Sequence, residues 1–302
     1  MEERTNLNLK QLKVFYHVAR QMNFTRAAAH LFITQSAVTK AIDSLEESLG
    51  VRLFVRERHR LTMTEAGLVL QNFADKIIRL ACEAEEAVTA LGVNPQGVLR
   101  LGTTKTFARY LMPPYMIRFH EAYPQVRIQM SEGTSREMVT GVLEGQVDVA
   151  IVGRVSYDEG VETFPFPDKP SDKLVVVMNP THRLAGRLKV DITDLADEPL
   201  LLREKGSGMR GKVMELFEKR GIVPNIMLEA ASIDFTKELI GKGAGIGILG
   251  TMSVEEDLKA GTFRAADLET ENLTIPIDLV LPAEGYRPLS TRTFLAFITG
   301  GE

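Results

Sequence analysis

FTRAAAHLFITQSAVTKAIDSLE, residues Phe24–Glu46, holds two short helical patterns separated by a tight break, and the architecture of the chain turns on it. The first pattern, from about Thr25 to Phe32, is rich in alanine, and the small side chains of Ala27 and Ala28 let a second helix approach closely. After Ile33, Thr34 is suited to cap a helix N-terminus, because its hydroxyl can accept a backbone N–H that lacks a helical partner. From Gln35 onward Val38, Ile42, Leu45 and Leu49 recur at helical spacing, so one face must be buried. Gln35, Ser36, Thr39 and Lys40 fall on the opposite face near the helix N-terminus. The pair reads as a helix-turn-helix, a motif that places this end of its second helix in a DNA major groove.

The side chains suit that placement. A Gln amide pairs bidentately with adenine, a hydroxyl serves base or phosphate, and a Lys reaches guanine edges or the backbone. Thr34, Gln35, Ser36, Thr39 and Lys40 are therefore candidate DNA contacts. An ordinary amphipathic helix with a solvated polar face gives the same pattern, so the motif alone leaves both readings open.

The charge distribution favours the first reading. Residues 1–60 carry ten Lys or Arg against six Asp or Glu, a net of +4, whereas the whole chain is −4, which leaves −8 on the remaining 242 residues. Such asymmetry is expected when only the first segment meets a polyanion.

Working outward, Leu9, Leu12, Phe15, Tyr16 and Ala19 within Leu7–Met22 predict a first helix that covers the pair. Gly50 is suited to end the second helix, and Val51–Val55 alternates like a short strand. The basic run Arg56–Arg60 followed by LTMT from Leu61 predicts a two-stranded wing, in which Arg56 and Arg58 are candidates for phosphate or minor-groove contact. A solvated charged turn is the alternative. These elements make up a winged helix-turn-helix over residues 1–64.

Thr64 can cap a long helix running to about Leu91, in which Leu70, Phe73, Ile77, Leu80, Ala84, Ala87 and Leu91 step by threes and fours. At 1.5 Å per residue it would be roughly 40 Å long, with no partner for its stripe in so small a domain. Residues 65–92 are thus expected to dimerise the chain, and LGVNPQG from Leu91 to Gly97 marks a linker; a core helix of the following domain is the alternative.

From Val98 strands alternate with helices in two sets, which predicts a two-lobed α/β domain over residues 97–302. Lobe 1 is expected over about 97–167 and 272–302, with TIPIDLVLP and the final helix returning to it, and lobe 2 over about 168–271. A cleft between two such lobes is the default small-molecule site.

Other functions find less support. No apolar run approaches the length of a membrane span, and MEERTNLNLK lacks the basic-then-apolar order of a signal peptide, so a cytoplasmic location and no membrane partner are expected. That and the basic N-terminal segment argue against a solute-binding protein. Cys82 is the only cysteine and reads as a packing residue, and His17, His30, His59, His120 and His182 show no ligand spacing, so no metal site is expected. P-loop, GxSxG and HExxH patterns are absent, and GKGAGIG at Gly241–Gly247 precedes a strand where a dinucleotide fingerprint would follow one. Neither catalytic residues nor a cofactor are expected.

The sequence closely resembles the LysR-type transcriptional regulators over nearly its whole length. The resemblance is carried by Phe15, Phe24-Thr25-Arg26-Ala27-Ala28, Gln35-Ser36-Ala37-Val38-Thr39-Lys40, Ile42, Leu45-Glu46, Leu49-Gly50, Leu53-Phe54, Arg56, Leu61-Thr62 and Thr64-Glu65-Ala66-Gly67. It implies a winged helix-turn-helix, a dimerising linker helix and an effector domain resembling type II periplasmic binding proteins. It also implies double-stranded operator DNA as partner, a homodimer or homotetramer, and RNA polymerase as a further candidate partner. By position, DNA contacts fall on Gln35, Ser36, Thr39, Lys40, Arg56 and Arg58. Thr39-Lys40 stands where relatives usually have Ser-Arg, which exchanges a bidentate fork for a point charge.

The same resemblance places a small-molecule effector among Thr103, Thr104 and Thr106, then Gly133, Thr134 and Ser135, and a lobe 2 loop from Arg203 to Ser207. Hydroxyls, helix N-termini and an Arg favour an anionic ligand, although each hydroxyl is equally suited to capping a helix. LREKGSGMR at Leu202–Arg210 is similar to the subgroup of regulators of sulfur assimilation and carbon fixation, with Met209 where Thr is usual.

Overall fold

The computed structural model describes residues 7–57, 60–89, 97–269, 273–284 and 287–300, and the chain divides into two compact units, Met1–Leu91 and Gly92–Glu302.

The first unit begins with three helices, α1 (Leu9–Gln21), α2 (Phe24–Leu31) and α3 (Gln35–Leu49). Each starts on a polar cap: Asn8 accepts from Lys10 N–H at 2.9 Å, Asn23 from Arg26 N–H at 2.9 Å, and Thr34 from Ala37 N–H at 3.2 Å. The breaks between them are as tight as the sequence implies, with Met22 and Phe32 both held in the left-handed region. A two-stranded wing follows, β1 (Phe54–Glu57) against β2 (Arg60–Met63). Its first strand starts later than Val51–Val55 suggests, because Leu53 and Phe54 are anchored by α3. Leu12, Phe15, Ala27, Val38, Ile42 and Leu45 form a core that excludes solvent entirely.

Helix α4 (Glu65–Thr89) starts on Thr64, whose hydroxyl accepts from Gly67 N–H and donates to the Arg52 carbonyl at 2.6 Å. The expectation of a single stripe without an internal partner needs correction. Ala74 is fully buried in the winged-helix core, and Leu70 and Ile77 pack beside it. Phe73 and Leu80, at 59% and 60% exposure, and the exposed Ala84 form a separate edge. Leu91 lies outside the described residues, and the side chain of Ala87 is likewise not described.

The second unit opens with β3 (Gly97–Thr104), α5 (Lys105–Tyr110), α6 (Met112–Ala122), β4 (Val126–Gly133), α7 (Ser135–Leu143) and β5 (Val149–Gly153). β3 runs parallel to both β4 and β5. Strand β6 (Val161–Pro165) leads to β7 (Ser171–Met178), the short β8 (Lys189–Val190), a 3-10 turn at Ile192–Leu195, β9 (Leu200–Arg203), α8 (Gly208–Lys219), β10 (Ile226–Ala230), α9 (Ile233–Gly241) and β11 (Ile246–Gly250). Helix α10 (Thr251–Ala260), β12 (Arg264–Leu268), β13 (Thr274–Pro282) and α11 (Leu289–Thr299) complete it.

β9 pairs parallel with β10 and β11, and β11 runs antiparallel to β7. β13 joins the two sets: Thr274–Pro276 pair with β7, and Ile277–Val280 pair with β5. Separate cores lie on either side of that crossing, one around Leu99, Phe119, Ile151 and Phe294, the other around Leu174, Leu200, Phe217 and Ile246. In GKGAGIG, Gly243 adopts φ +75° after α9, and a side chain at Gly245 would collide with the Pro199 carbonyl. These glycines serve a turn and a close packing, not a phosphate loop.

Candidate nucleic-acid interface and ligand cleft

Burial of Val38, Ile42 and Leu45 rotates the opposite side of α3 outward, so Gln35, Ser36 and Lys40 are exposed and Thr39 is half-buried. With Asp43, Ser44 and Glu47 they line one surface groove along the helix. The polar residues of the first two turns are therefore co-facial, and Asp43 and Glu47 place two carboxylates towards the far end of the groove.

Two bonds shape this face. Thr25 at the start of α2 donates its hydroxyl to Gln35 Oε1 at 3.2 Å, which orients the amide from the neighbouring helix. The hydroxyls of Thr34 and Ser36 lie 3.0 Å apart, and Thr34 also caps α3, so its oxygen is committed within the protein. Arg56 has its backbone in β1 opposite Leu61, its side chain is not described, and Arg58 lies outside the described residues. Thr25, Asp43 and Glu47 were not singled out from sequence, although the spacing of Asp43 and Glu47 from Thr39 and Lys40 places them on the same helical face.

In the second unit, Thr104, Thr106, Thr134, Ser135, Arg203 and Ser207 surround one cavity, together with Gly133, Gly153, Phe107 and Glu204. Thr103 does not belong there. It is fully buried and donates its hydroxyl to the Ile151 carbonyl at 2.8 Å, bracing β3 against β5. Along β3 it shares a face with Leu99 and Leu101, and that face is core.

Helix capping occupies two of the remaining hydroxyls. Thr104 accepts from Phe107 N–H at 3.3 Å, and Thr134 forms a reciprocal capping box with Glu137 at the start of α7. Arg203, only 6% exposed, is bound through Nε and Nη2 to the Glu204 carboxylate at 3.0 and 3.1 Å, and its Nη1 lies 3.5 Å from Thr106 Oγ1. The cation predicted for the cleft thus carries its own counter-charge from the next residue.

The cavity measures about 30 Å³, room for water but well short of a metabolite. It is narrow because the loop before α8 lies against α7: Arg136 N–H donates to the Gly206 carbonyl at 3.3 Å, and Gly206, at φ +89°, packs against Thr134. An ion pair between Arg109 on α5 and Asp234 on α9 also joins the two sides. Below, Asp278 is buried and accepts from Arg154 Nε and Nη2 at 2.7 and 2.8 Å and from Tyr157 at 2.6 Å. Burial, and then the Asp278 carboxylate, push the Tyr157 phenol far above its ordinary value. Asp172 is raised chiefly by burial, with bonds from Met252 N–H and Thr251 opposing.

No group of three or more His, Cys, Asp or Glu able to hold a metal ion occurs among the described residues, and none of their helices is long and apolar enough to cross a membrane.

Comparison with known proteins agrees with both units. Residues 9–68 match the family described as bacterial regulatory helix-turn-helix protein, lysR family, and residues 93–301 match the LysR substrate binding domain. An uncharacterised HTH-type transcriptional regulator, YwqM of Bacillus subtilis, is 35% identical over 88% of this chain and 89% of its own. The HTH-type transcriptional regulator cbl of Escherichia coli is 32% identical over 88% of this chain and 84% of its own. The solved structure of full-length CbnR with its target DNA aligns at a TM-score of 0.69 and 23% identity, over 97% of this chain and 99% of that one, which is a likeness of fold. YwqM and cbl are both named as HTH-type transcriptional regulators. With a helix-turn-helix unit followed by a substrate-binding unit, the chain belongs to the LysR family of DNA-binding transcriptional regulators.

Proposed function

We propose that the chain reads operator DNA through Gln35, Ser36, Thr39 and Lys40, with Arg56 and Arg58 of the wing on flanking phosphates, in the cytoplasm. The observation that carries this reading is that the first four share one face in the N-terminal half of α3, with Gln35, Ser36 and Lys40 exposed and Thr39 half-buried, opposite a fully buried apolar face. CbnR, solved with its target DNA, supports it by likeness of fold. The edge of α4 with Phe73, Leu80 and Ala84 pairs two copies, and two dimers assemble on paired half-sites.

A small anion is the regulatory ligand, held by Thr104, Thr106, Thr134, Ser135, Arg203 and Ser207. Since the cavity they line is about 30 Å³, entry requires the Gly206 loop to withdraw from Thr134, and the ligand must also compete with Glu204 for Arg203. A ligand that favours one arrangement over another shifts how the assembly grips and bends DNA; equal affinity for both would shift nothing.

The test is genome-wide recovery of bound DNA, followed by binding to the best fragment with and without candidate anionic metabolites. Enriched sites with a dyad and a metabolite-dependent change in affinity or bending are expected. Weak, salt-sensitive binding without enrichment would overturn the operator reading.

A further inference from the structure

The loop that narrows the Arg203 cavity has a second side. Beyond the Gly206–Thr134 contact lies a groove of about 670 Å³, bordered by Arg136 of α7, by Arg154 after β5, and by Ser207, Arg210 and Lys212 at the start of α8. Its floor is the crossing between the two halves of the unit, where Arg154 N–H donates to the Pro276 carbonyl at 2.9 Å. The groove is more than twenty times the volume of the Arg203 cavity and is open to metabolite-sized molecules.

Among the described residues, four cations and one carboxylate, Glu215, line it. Two of the cations are held in place from behind: Arg154 by Asp278, and Arg210 by Glu229, each through Nε and Nη2, so neither pairing uses Nη1. Lys212 meets Glu215 only at 3.4 Å, and Arg136 is exposed. The first turn of α8 opens into the same space, and Ser207 at its cap position makes no side-chain cap bond, so the positive end of a twelve-residue helix adds to the field. Arg203, by contrast, is buried, only 6% exposed, while Arg136 and Arg154 are exposed.

We propose that this groove is a second anion site, which adjoins the Arg203 cavity across Ser207 and Gly208 but presents different cations, and that it takes a small multivalent oxyanion of the phosphorylated or polycarboxylate class. Arg136 stands on the half that contains β3 and β5, whereas Arg210 and Lys212 stand on the half that contains β9 and β11. An anion that contacts cations on both sides holds the two halves together beside the crossing strands. Occupancy therefore sets the ease with which the Gly206 loop withdraws from Thr134, and couples this groove to the Arg203 cavity. The inference does not depend on what the Arg203 cavity binds.

The experiment is calorimetric titration of the full chain with pyrophosphate and with citrate, at constant ionic strength and with chloride as control. Arg136→Gln, at an exposed position, with Lys212→Gln, at a half-buried one, is expected to weaken pyrophosphate or citrate by roughly tenfold or more, since two charge-assisted contacts are lost. Arg203→Gln is expected to leave that affinity within about twofold, and Arg136→Lys to retain most of it. Thermal melts of each variant establish that it is folded. Three outcomes would overturn the proposal: no binding of either probe to the unmodified chain, binding indifferent to the Arg136 and Lys212 changes, or an equal loss in Arg203→Gln. The last would assign the anion to the Arg203 cavity, so the two readings fail separately.

Discussion

Glu46, buried in the last turns of α3, accepts the backbone N–H of Leu53 at 2.8 Å, so the helix that carries the exposed polar face also fixes where the wing begins. The same carboxylate accepts from Phe54 N–H at 3.1 Å and from Arg52 at 2.7 Å. Burial works against its ionisation, but these bonds outweigh it and hold the carboxyl below its ordinary value. Because the folded value lies below the unfolded one, the contribution is fully present above the ordinary glutamate range and is lost as pH falls through the lowered value. Glu46→Ala strands two buried N–H groups, and is expected to cost about 1–3 kcal/mol at neutral pH. Urea unfolding at neutral and strongly acidic pH checks this, and the difference between the proteins should shrink on acidification.

The two edges of α4 should respond in opposite ways. Phe73 and Leu80 are more than half exposed, whereas Ala74 is fully buried in the winged-helix core. Phe73→Glu with Leu80→Glu is expected to yield a monomer in sedimentation, with the unfolding of the first unit nearly unchanged. Ala74→Leu overfills the core and should cost that unit about 1–3 kcal/mol while leaving the dimer edge intact. Monomerisation by the Ala74 change alone would reverse the assignment of the edges.

How far these features were legible depended on the strength of each local pattern. Helix α3 was readable to the residue because its cap, its apolar spacing and Gly50 agree, and β13 because TIPIDLVLP is a nearly continuous apolar run. Helix α10 was missed since TMSVEEDLKA offers only Met252, Val254 and Leu258 as apolar markers, and Met252 and Val254 pack into different cores. Strand β6 was missed because VETFP is half-exposed and ends in proline. The resemblance places Thr103 with Thr104 in the cleft, whereas two-residue alternation along β3 sets it with Leu99 and Leu101 in the core. The split of the α4 stripe depends on α1, which packs on one side of it, and a helical repeat alone does not carry that information.

At the Arg203 cavity the limiting feature is its internal partner. Glu204 occupies Nε and Nη2 of Arg203, so an incoming carboxylate or phosphate must displace it. Glu204→Gln is expected to tighten binding of the regulatory anion several-fold, while Arg203→Gln abolishes it, both read by titration of the folded chain. Thr104→Ala with Thr134→Ser should weaken the response, the serine keeping the cap on α7 so that loss of binding is not loss of the helix. A response unchanged in both variants would remove these residues from the ligand site.

On α3 the charge pattern separates positioning from reading. Lys40 is the one cation among the described side chains lining the groove, flanked by the hydroxyls of Ser36 and Thr39 and followed by Asp43 and Glu47. If it meets phosphate, Lys40→Ala weakens all sequences alike by about tenfold and lowers the slope of log affinity against log salt by about one. If it meets a guanine edge, preference relaxes at one position instead. Gln35, oriented by Thr25, is a fixed amide and should read a base. Gln35→Ala is therefore expected to flatten preference at a single adenine with little change in salt slope, and Thr25→Val, which removes the orienting hydroxyl, to reproduce part of that effect from outside the recognition helix. Asp43→Asn should raise affinity for unrelated DNA, because the carboxylate opposes the phosphate backbone where the groove continues. Anisotropy titrations over a salt series, on an operator and its single-base variants, resolve these cases. An unchanged operator affinity and sequence preference in Lys40→Ala and Gln35→Ala together would place the reading surface elsewhere on the first unit.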